Sequence, residues 1–173
     1  MQTKIYYGKR GMALEEMIEY TNVIYNNKGL ALINKVPTDW TVHYDKKRKK
    51  VIHAYPNQKG IVDFIGVSNG KSIAFDAKST NIKTNFPLNN IKQHQIDYLR
   101  NHHKHGGISF FLIAFNKRNE YFFLSINQEY KWWKNMLQGG RKSIPYDWFV
   151  FNCESIKSGN GVPLDYLKVC GTM

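Results

Sequence analysis

GIVDFIGVSNGKSIAFDAK, residues 60–78, is the stretch on which the reading of this chain turns. Residues 61–67 and 72–78 are rich in β-branched and aromatic side chains, the composition of strands that pack on a core. Asn69-Gly70 between them suits a tight two-residue connection, because those two residue types tolerate its left-handed backbone best. A hairpin follows, and it carries Asp63 and Asp76 on adjacent strands near one end of a sheet. Side chains alternate along a strand, so Asp76 and Lys78 share a side while Ala77 points away.

Two carboxylates and an ammonium that meet at a sheet end have a chemical use. Oxygen donors from Asp63 and Asp76, supplemented by a backbone carbonyl, suit a hard divalent cation such as Mg²⁺, and Mn²⁺ accepts a similar set. Beside a phosphodiester such a cation neutralises developing negative charge and promotes formation of hydroxide from water. Lys78 either orients that water or stabilises charge at the phosphate. The plainer alternative is that Asp63 merely ends a strand and Asp76 and Lys78 form an ordinary surface pair, since Asp-x-Lys arises readily by chance.

Outward from the hairpin, residues 12–28 space Met12, Leu14, Met17, Ile18, Val23 and Ile24 as one face of an amphipathic helix. LALINKVP, residues 30–37, reads as a short strand stopped by Pro37. Residues 79–90, STNIKTNFPLNN, are polar and proline-interrupted, which predicts a loop. Residues 91–104 then repeat as a helix whose face uses Ile91, His94 or Gln95, Tyr98 and Leu99. ISFFLIAF (108–115) and EYFFLSI (120–126) are two apolar strands joined by a turn at 116–119. A short helix is expected over 128–137, followed by a basic loop, GGRKSIP, and a less regular tail. In that tail Pro163, Leu164, Tyr166 and Leu167 are candidates to pack back on the core.

The chain's 173 residues suffice for one domain with a substantial core. Twenty-five Lys and Arg against 13 Asp and Glu give a formal charge of +12, which favours phosphate-rich partners, nucleic acid first. No stretch is apolar for long enough to span a bilayer, and the opening MQTKIYYGKRG lacks the apolar segment of a secretory signal. Cytoplasmic residence, close to the nucleoid, is the expectation. Cys153 and Cys170 have no zinc-type spacing and are expected to be reduced thiols.

DKKRKK, residues 45–50, concentrates five positive charges between two strand-like flanks, 41–44 and 51–55. A pair of strands projecting from the core, with the charges near their connection, fits this pattern, and so does a solvated loop. Arg10, Lys46, Lys47, Arg48, Lys49, Lys50, Arg141 and Lys142 are candidate contacts to a nucleic-acid backbone. Tyr44, His53 and Tyr55 are placed either to stack on exposed bases or to pack the arm. Glu15 and Glu19 lie one helical turn apart and are candidates to reach the sheet end, or form a solvated acidic face. Gln95 is a candidate to orient substrate or water. His102, His103 and His105 lack a compact ligand set and are expected to finish a polar helix end.

Ordered blocks along most of the chain resemble the RecU family of Holliday-junction resolvases, within the PD-(D/E)XK nuclease superfamily. They are KRGMALEE (9–16), INKVPT (33–38), VDFIGV (62–67), FDAKST (75–80), FPLNNIKQHQIDYL (86–99), GRKSIP (140–145) and PLDYL (163–167). The resemblance implies an α/β fold: a restriction-endonuclease-like mixed sheet flanked by helices, with a projecting basic stalk at about 41–60, all in a single nuclease domain spanning 1–173. It implies Asp63, Asp76 and Lys78 as the catalytic core, Glu15 and Gln95 as supporting residues, and Arg10 as a backbone contact near the active face. Mg²⁺ is the implied cofactor with Mn²⁺ as a substitute, the implied partner is four-way junction DNA, and the implied assembly is a homodimer with two active sites. Where relatives carry Glu before Ala-Lys or its equivalent, this chain has Asp76, a shorter carboxylate with a different reach.

Overall fold

The most apolar run of the chain, Ile108–Phe115, is buried along nearly its whole length. A strand covered on both faces has no polar side to show, so it belongs in the middle of a sheet. In the computed structural model, residues 8–37, 40–45, 47–56 and 61–171 are described, without the side chains of 8–13, 40–42 and 54–56.

In chain order the elements are α1 (Gly8–Asn27), β1 (Leu32–Lys35), β2 (Trp40–Asp45), β3 (Lys50–Pro56), β4 (Phe64–Ser68), β5 (Lys71–Thr80), β6 (Asn85–Pro87) and a 3₁₀ turn (Leu88–Asn90). Then follow α2 (Gln93–Lys104), β7 (Ile108–Phe115), β8 (Glu120–Ser125), α3 (Ile126–Leu137), β9 (Ser143–Pro145), α4 (Tyr146–Asn152), β10 (Glu154–Ile156) and α5 (Tyr166–Cys170). Among the described residues, β1-β4-β5-β7-β8-β10 form one mixed sheet of six strands. Only β5 and β7 run parallel, joined by the α2 crossover; the other neighbours are antiparallel.

Alternation along β5 and β7 splits the core into two layers. Ile73 and Phe75 with Phe110 and Leu112 face α1 and α5, where Leu14, Ile18, Tyr25, Tyr166 and Leu167 cover them. Phe75 stacks between Phe64 and Phe110 at centroid separations of 5.0 and 4.7 Å. Each such ring contributes roughly 1.5–3 kcal/mol by leaving water. Ala74 with Phe111, Ile113 and Phe115 faces the other way, onto Ile96 and Leu99 of α2, Trp133 of α3 and Phe149 of α4. The tail packs as expected, through Leu164, Tyr166 and Leu167, and Tyr25 Oη donates to Asp165 Oδ1 at 2.9 Å. Cys153 and Cys170 are free thiols, both pushed up to about 12 by burial.

The Asn69-Gly70 turn has φ of 46° and 73°, the left-handed pair that a two-residue hairpin needs. Gly66, opposite Ile33, is required for a different reason: a Cβ there would meet Leu32 O at 2.1 Å.

Two expectations need correction. Residues 79–90 are not one loop: β5 continues to Thr80, and Asn85–Pro87 pairs with Ser143–Pro145 as a two-stranded ribbon. Pro87 is tolerated because a short edge strand leaves its nitrogen unneeded. Val23, expected on the apolar face of α1, is exposed, and Tyr25 takes the core position there; on α2 the buried face is Gln95, Ile96 and Leu99, which selects Gln95 over His94.

β2 and β3 form their own antiparallel ribbon, separate from the large sheet. His43 and Tyr44 on one strand and Val51, Ile52 and His53 on the other are all exposed. Consecutive strand residues point to opposite faces, so this part of the ribbon is wet on both sides. At its tip Asp45 Oδ1 accepts from the backbone of Lys47 and Arg48 at 2.8 and 3.1 Å, closing the turn. No helix among the described residues is long and apolar enough to cross a membrane.

Candidate active site

The hairpin places its two carboxylates opposite each other. Phe64 pairs with Phe75, so the next step of the antiparallel register sets Asp63 level with Asp76. Asp63 Oδ2 accepts from Ala77 N at 2.9 Å, and Val36 N donates to Asp63 O at 2.8 Å, which fixes the residue at the end of the β4 ladder. Asp76 and Lys78, two apart on β5, share the face of the sheet that α2 covers.

Asp76 is fully buried. Its Oδ1 faces Lys78 Nζ in an ion pair, and its Oδ2 accepts from Gln95 Nε2 at 2.5 Å. Gln95 is held in turn, because its Oε1 accepts from Lys92 N at 3.0 Å across the first turn of α2. One amide therefore caps the helix and grips the carboxylate. Asp76 is pushed up to about 7: burial is the main cause, Lys78 pulls against it, and the charge and hydrogen bond of Asp63 add to it.

That balance is what a hard divalent cation would relieve. The donor set consists of two carboxylates, with no third Asp, Glu, His or Cys converging on them among the described residues. Mg²⁺ accepts such a site, since it binds through one or two carboxylates and keeps several waters. The residues present fit that ion.

The other candidates divide by place. Glu15 belongs to α1, on the opposite layer, where it ion-pairs with Lys35 at 2.8 Å; Lys35 also reaches Glu19 at 2.8 Å. Glu15 is thus not joined to Asp76, although Lys35 stands beside the Val36 that binds Asp63. Lys35 gives no sign of this in the sequence beyond its position two residues before the strand-ending Pro37. Arg141 and Lys142 are exposed, and Lys142 O accepts from Leu88 N at 3.0 Å, which ties their loop to the segment entering α2. Lys47, Arg48, Lys49 and Lys50 are exposed at the β2–β3 turn. Lys46 lies outside the described residues, as do the side chains of Arg10 and Tyr55.

The histidines at the end of α2 hold local structure. His102 shares its ring nitrogens with Ser109 Oγ and Ser72 Oγ, each at 2.7 Å, and burial holds its pKa low. His105 Nδ1 lies 2.8 Å from Asn101 O at the end of α2.

The family model for Recombination protein U matches residues 9–172. The Holliday junction resolvase RecU of Oenococcus oeni is 42% identical over 169 residues, covering 94% of this chain and 85% of that protein. The protein of the same name from Geobacillus sp. (strain WCH70) is 40% identical over 167 residues, covering 94% and 83%. The solved structure of Archaeoglobus fulgidus Hjc, a Holliday junction resolvase, overlaps 89% of this chain and 99% of its own at a TM-score of 0.46 and 10% identity. That last likeness is too loose to bear on the site. A single family description accounts for the chain from residue 9 to residue 172, through every block that builds the carboxylate pair, and the chain belongs to the RecU family.

Proposed function

We infer that this chain is a metal-dependent endodeoxyribonuclease that resolves four-way DNA junctions by paired phosphodiester cleavage. The observation that carries the reading is the meeting of Asp63 and Asp76 across the β4–β5 pair, with Lys78 and Gln95 on the Asp76 carboxylate, in a member of the RecU family.

Asp63 and Asp76 are the residues that would hold Mg²⁺, or Mn²⁺ in its place. When bound, the ion supplies Lewis-acid neutralisation of the phosphate and lowers the pKa of water near it. The reaction is an in-line hydrolysis: water oxygen bonds to phosphorus, the bond to the 3′ oxygen breaks, and that oxygen takes a proton. The products are a 5′-phosphate and a 3′-hydroxyl. Lys78, an ammonium beside a carboxylate, stabilises charge at the scissile phosphate or orients the water. Gln95 holds the Asp76 carboxylate in one orientation, as an outer partner of a metal ligand does. Glu15 supports the Asp63 end through Lys35. Asp76 is shorter than the Glu of relatives, and the 2.5 Å contact from Gln95 keeps it deep in the fold.

The β2–β3 ribbon serves as the basic stalk. Lys47, Arg48, Lys49 and Lys50 meet phosphates at its tip, Arg141 and Lys142 extend the contact on the body, and Lys46, Tyr55 and Arg10 join them as proposed from the sequence. A homodimer, closed by a two-fold axis, offers two equivalent sites to two equivalent strands.

Matched synthetic four-way junction and duplex, each with Mg²⁺, Mn²⁺ or chelator, test the reading. Paired nicks in the junction, absent in chelator and scarce on duplex, are expected. Tight junction binding with no cleavage under any metal condition would identify a DNA-architectural module instead, and equal cutting of duplex a nuclease without structure selection.

A further inference from the structure

Past Lys78 the parallel pairing of β5 with β7 continues to Thr80 and Phe115, and Asn116 N donates to Thr80 O at 2.9 Å. The turn at 116–119 therefore starts at the sheet end toward which Asp76 and Lys78 lead, three residues or roughly 10 Å beyond Lys78 along the strand. Arg118 stands in that turn, its own N–H donating to Phe115 O at 2.9 Å.

Its side chain is fixed in a way exposed arginines seldom are. Nε donates to Lys83 O at 2.8 Å, and the guanidinium carbon lies 3.6 Å from the centroid of the Tyr146 ring. Tyr146 is itself anchored: its N–H donates to Thr84 O at 2.9 Å, its hydroxyl to Glu120 Oε2 at 2.5 Å, and its ring meets Phe115 edge-on at 5.2 Å. Phe115 belongs to the layer that α2 covers, so Arg118 is on the face of Asp76 and Lys78. Among the described residues no carboxylate ion-pairs with Arg118, which is exposed, and Lys83 and Lys117 beside it are exposed too.

We propose that Arg118 is a preorganised phosphate clamp that seats the substrate strand beside the Asp63–Asp76 site. A guanidinium presents a planar fork that matches phosphate oxygens, and one already stacked and tethered loses little further freedom when DNA arrives. Lys83 and Lys117 add charge to the same patch. Arg118 is a positioning and binding residue, set apart from the chemistry, and this role rests on the nuclease reading above.

The test uses the full chain and one synthetic four-way junction, with binding measured in chelator across a salt series and cleavage measured in Mg²⁺. Arg100 supplies a matched control: it stacks on Tyr130 at the same 3.6 Å, but from α2 onto α3, away from the turn at 116–119. Arg118→Ala is expected to weaken binding roughly tenfold and to reduce the slope of log affinity against log salt by about 0.9, the share of one neutralised phosphate. The cleavage loss falls on KM more than on kcat. Arg118→Lys restores the slope and only part of the affinity, because the charge returns without the fork. Arg100→Ala keeps both. A folded Arg118→Ala with wild-type affinity and slope overturns the clamp, as does an equal loss in Arg100→Ala. Wild-type protein that neither binds nor cuts the junction overturns the nuclease reading itself, and the Arg118 role with it.

Discussion

Among the described residues two carboxylates are completely buried, Asp76 on β5 and Glu129 on α3, and their surroundings could hardly differ more. Asp76 meets an ammonium, an amide and a second carboxylate; both oxygens of Glu129 lack a hydrogen-bond partner among the described residues. Burial is the main cause that drives each upward, Asp76 to about 7 and Glu129 to about 8. The same cost therefore stands at two places. At Asp76 every neighbour makes sense if a cation and a phosphate join the group. Glu129 lies on the stripe of α3 that buries Ile126 and Trp133, and nothing there would bind a ligand. A perturbed acid marks a site only when its neighbours converge on a common point.

The largest expected effect separates the two at once. Asp76→Asn would remove the proposed metal ligand at constant volume, and loss of several kcal/mol of transition-state stabilisation lowers junction cleavage by on the order of 10³. The same change removes a buried charge, so the metal-free variant resists heat better than wild type at pH 8. Mg²⁺ raises the melting temperature of wild type by mass action and leaves that of the variant nearly unmoved. Cleavage rates and melting curves with and without Mg²⁺ check all three statements. Retained turnover in the variant would break the comparison at its stronger end.

Glu129 gives the next effect, on stability. Its pKa is raised in the fold from 4.5 to about 8, so the folded state holds more protons than the unfolded one between those values. Stability is then fully present below the lower pH and declines as pH rises through the upper one. Over that window the loss is roughly 4–5 kcal/mol at 1.36 kcal/mol per unit, an upper figure because the fold relaxes around a charge. Glu129→Met, close in volume, should raise stability by about 1–3 kcal/mol near pH 7, where an unpartnered polar group is removed, and by more at pH 9. Urea unfolding at pH 5, 7 and 9 measures this, with junction cleavage as a control that stays at the wild-type level. A variant that lost stability, or lost cleavage, would mean that Glu129 has a partner in the working protein.

The two acids also differ in how they read in sequence. Asp76 was legible because a strand has period two and Asn-Gly announces a hairpin; together these bring Asp63 and Asp76 level and put Lys78 on the same side before any coordinate is known. Glu129, within Asn127-Gln128-Glu129-Tyr130, has polar neighbours on both sides and looks like a solvated helix position. Only the packing of α3 on α2, where Trp133 Nε1 donates to Gln93 Oε1 at 2.9 Å, turns it inward. Arg118 was hidden for a similar reason: in the turn 116–119 it reads as an ordinary loop charge, and its stacking partner lies 28 positions away on Tyr146. The β6–β9 ribbon escaped because three residues with a proline carry no periodicity, and their partners are remote in the chain. Local pattern reaches what neighbours in sequence decide; pairings across long separations need the fold.

The smallest effect on the chemistry comes from the region farthest in character from the buried acids, the tip of the β2–β3 ribbon. Its described side chains are wet on both faces, so alanine in place of Lys46, Lys47, Arg48, Lys49 and Lys50 should leave the melting temperature and the cleavage rate at saturating DNA close to wild type. What changes is the electrostatic part of binding: the salt slope falls by about 0.9 for each replaced charge that meets a phosphate, and affinity at physiological salt falls with it. A salt titration of junction binding gives the count directly. A slope equal to that of wild type would show a charge run turned toward solvent, and would leave Arg118, Arg141 and Lys142 on the body as the residues that bring DNA to Asp63 and Asp76.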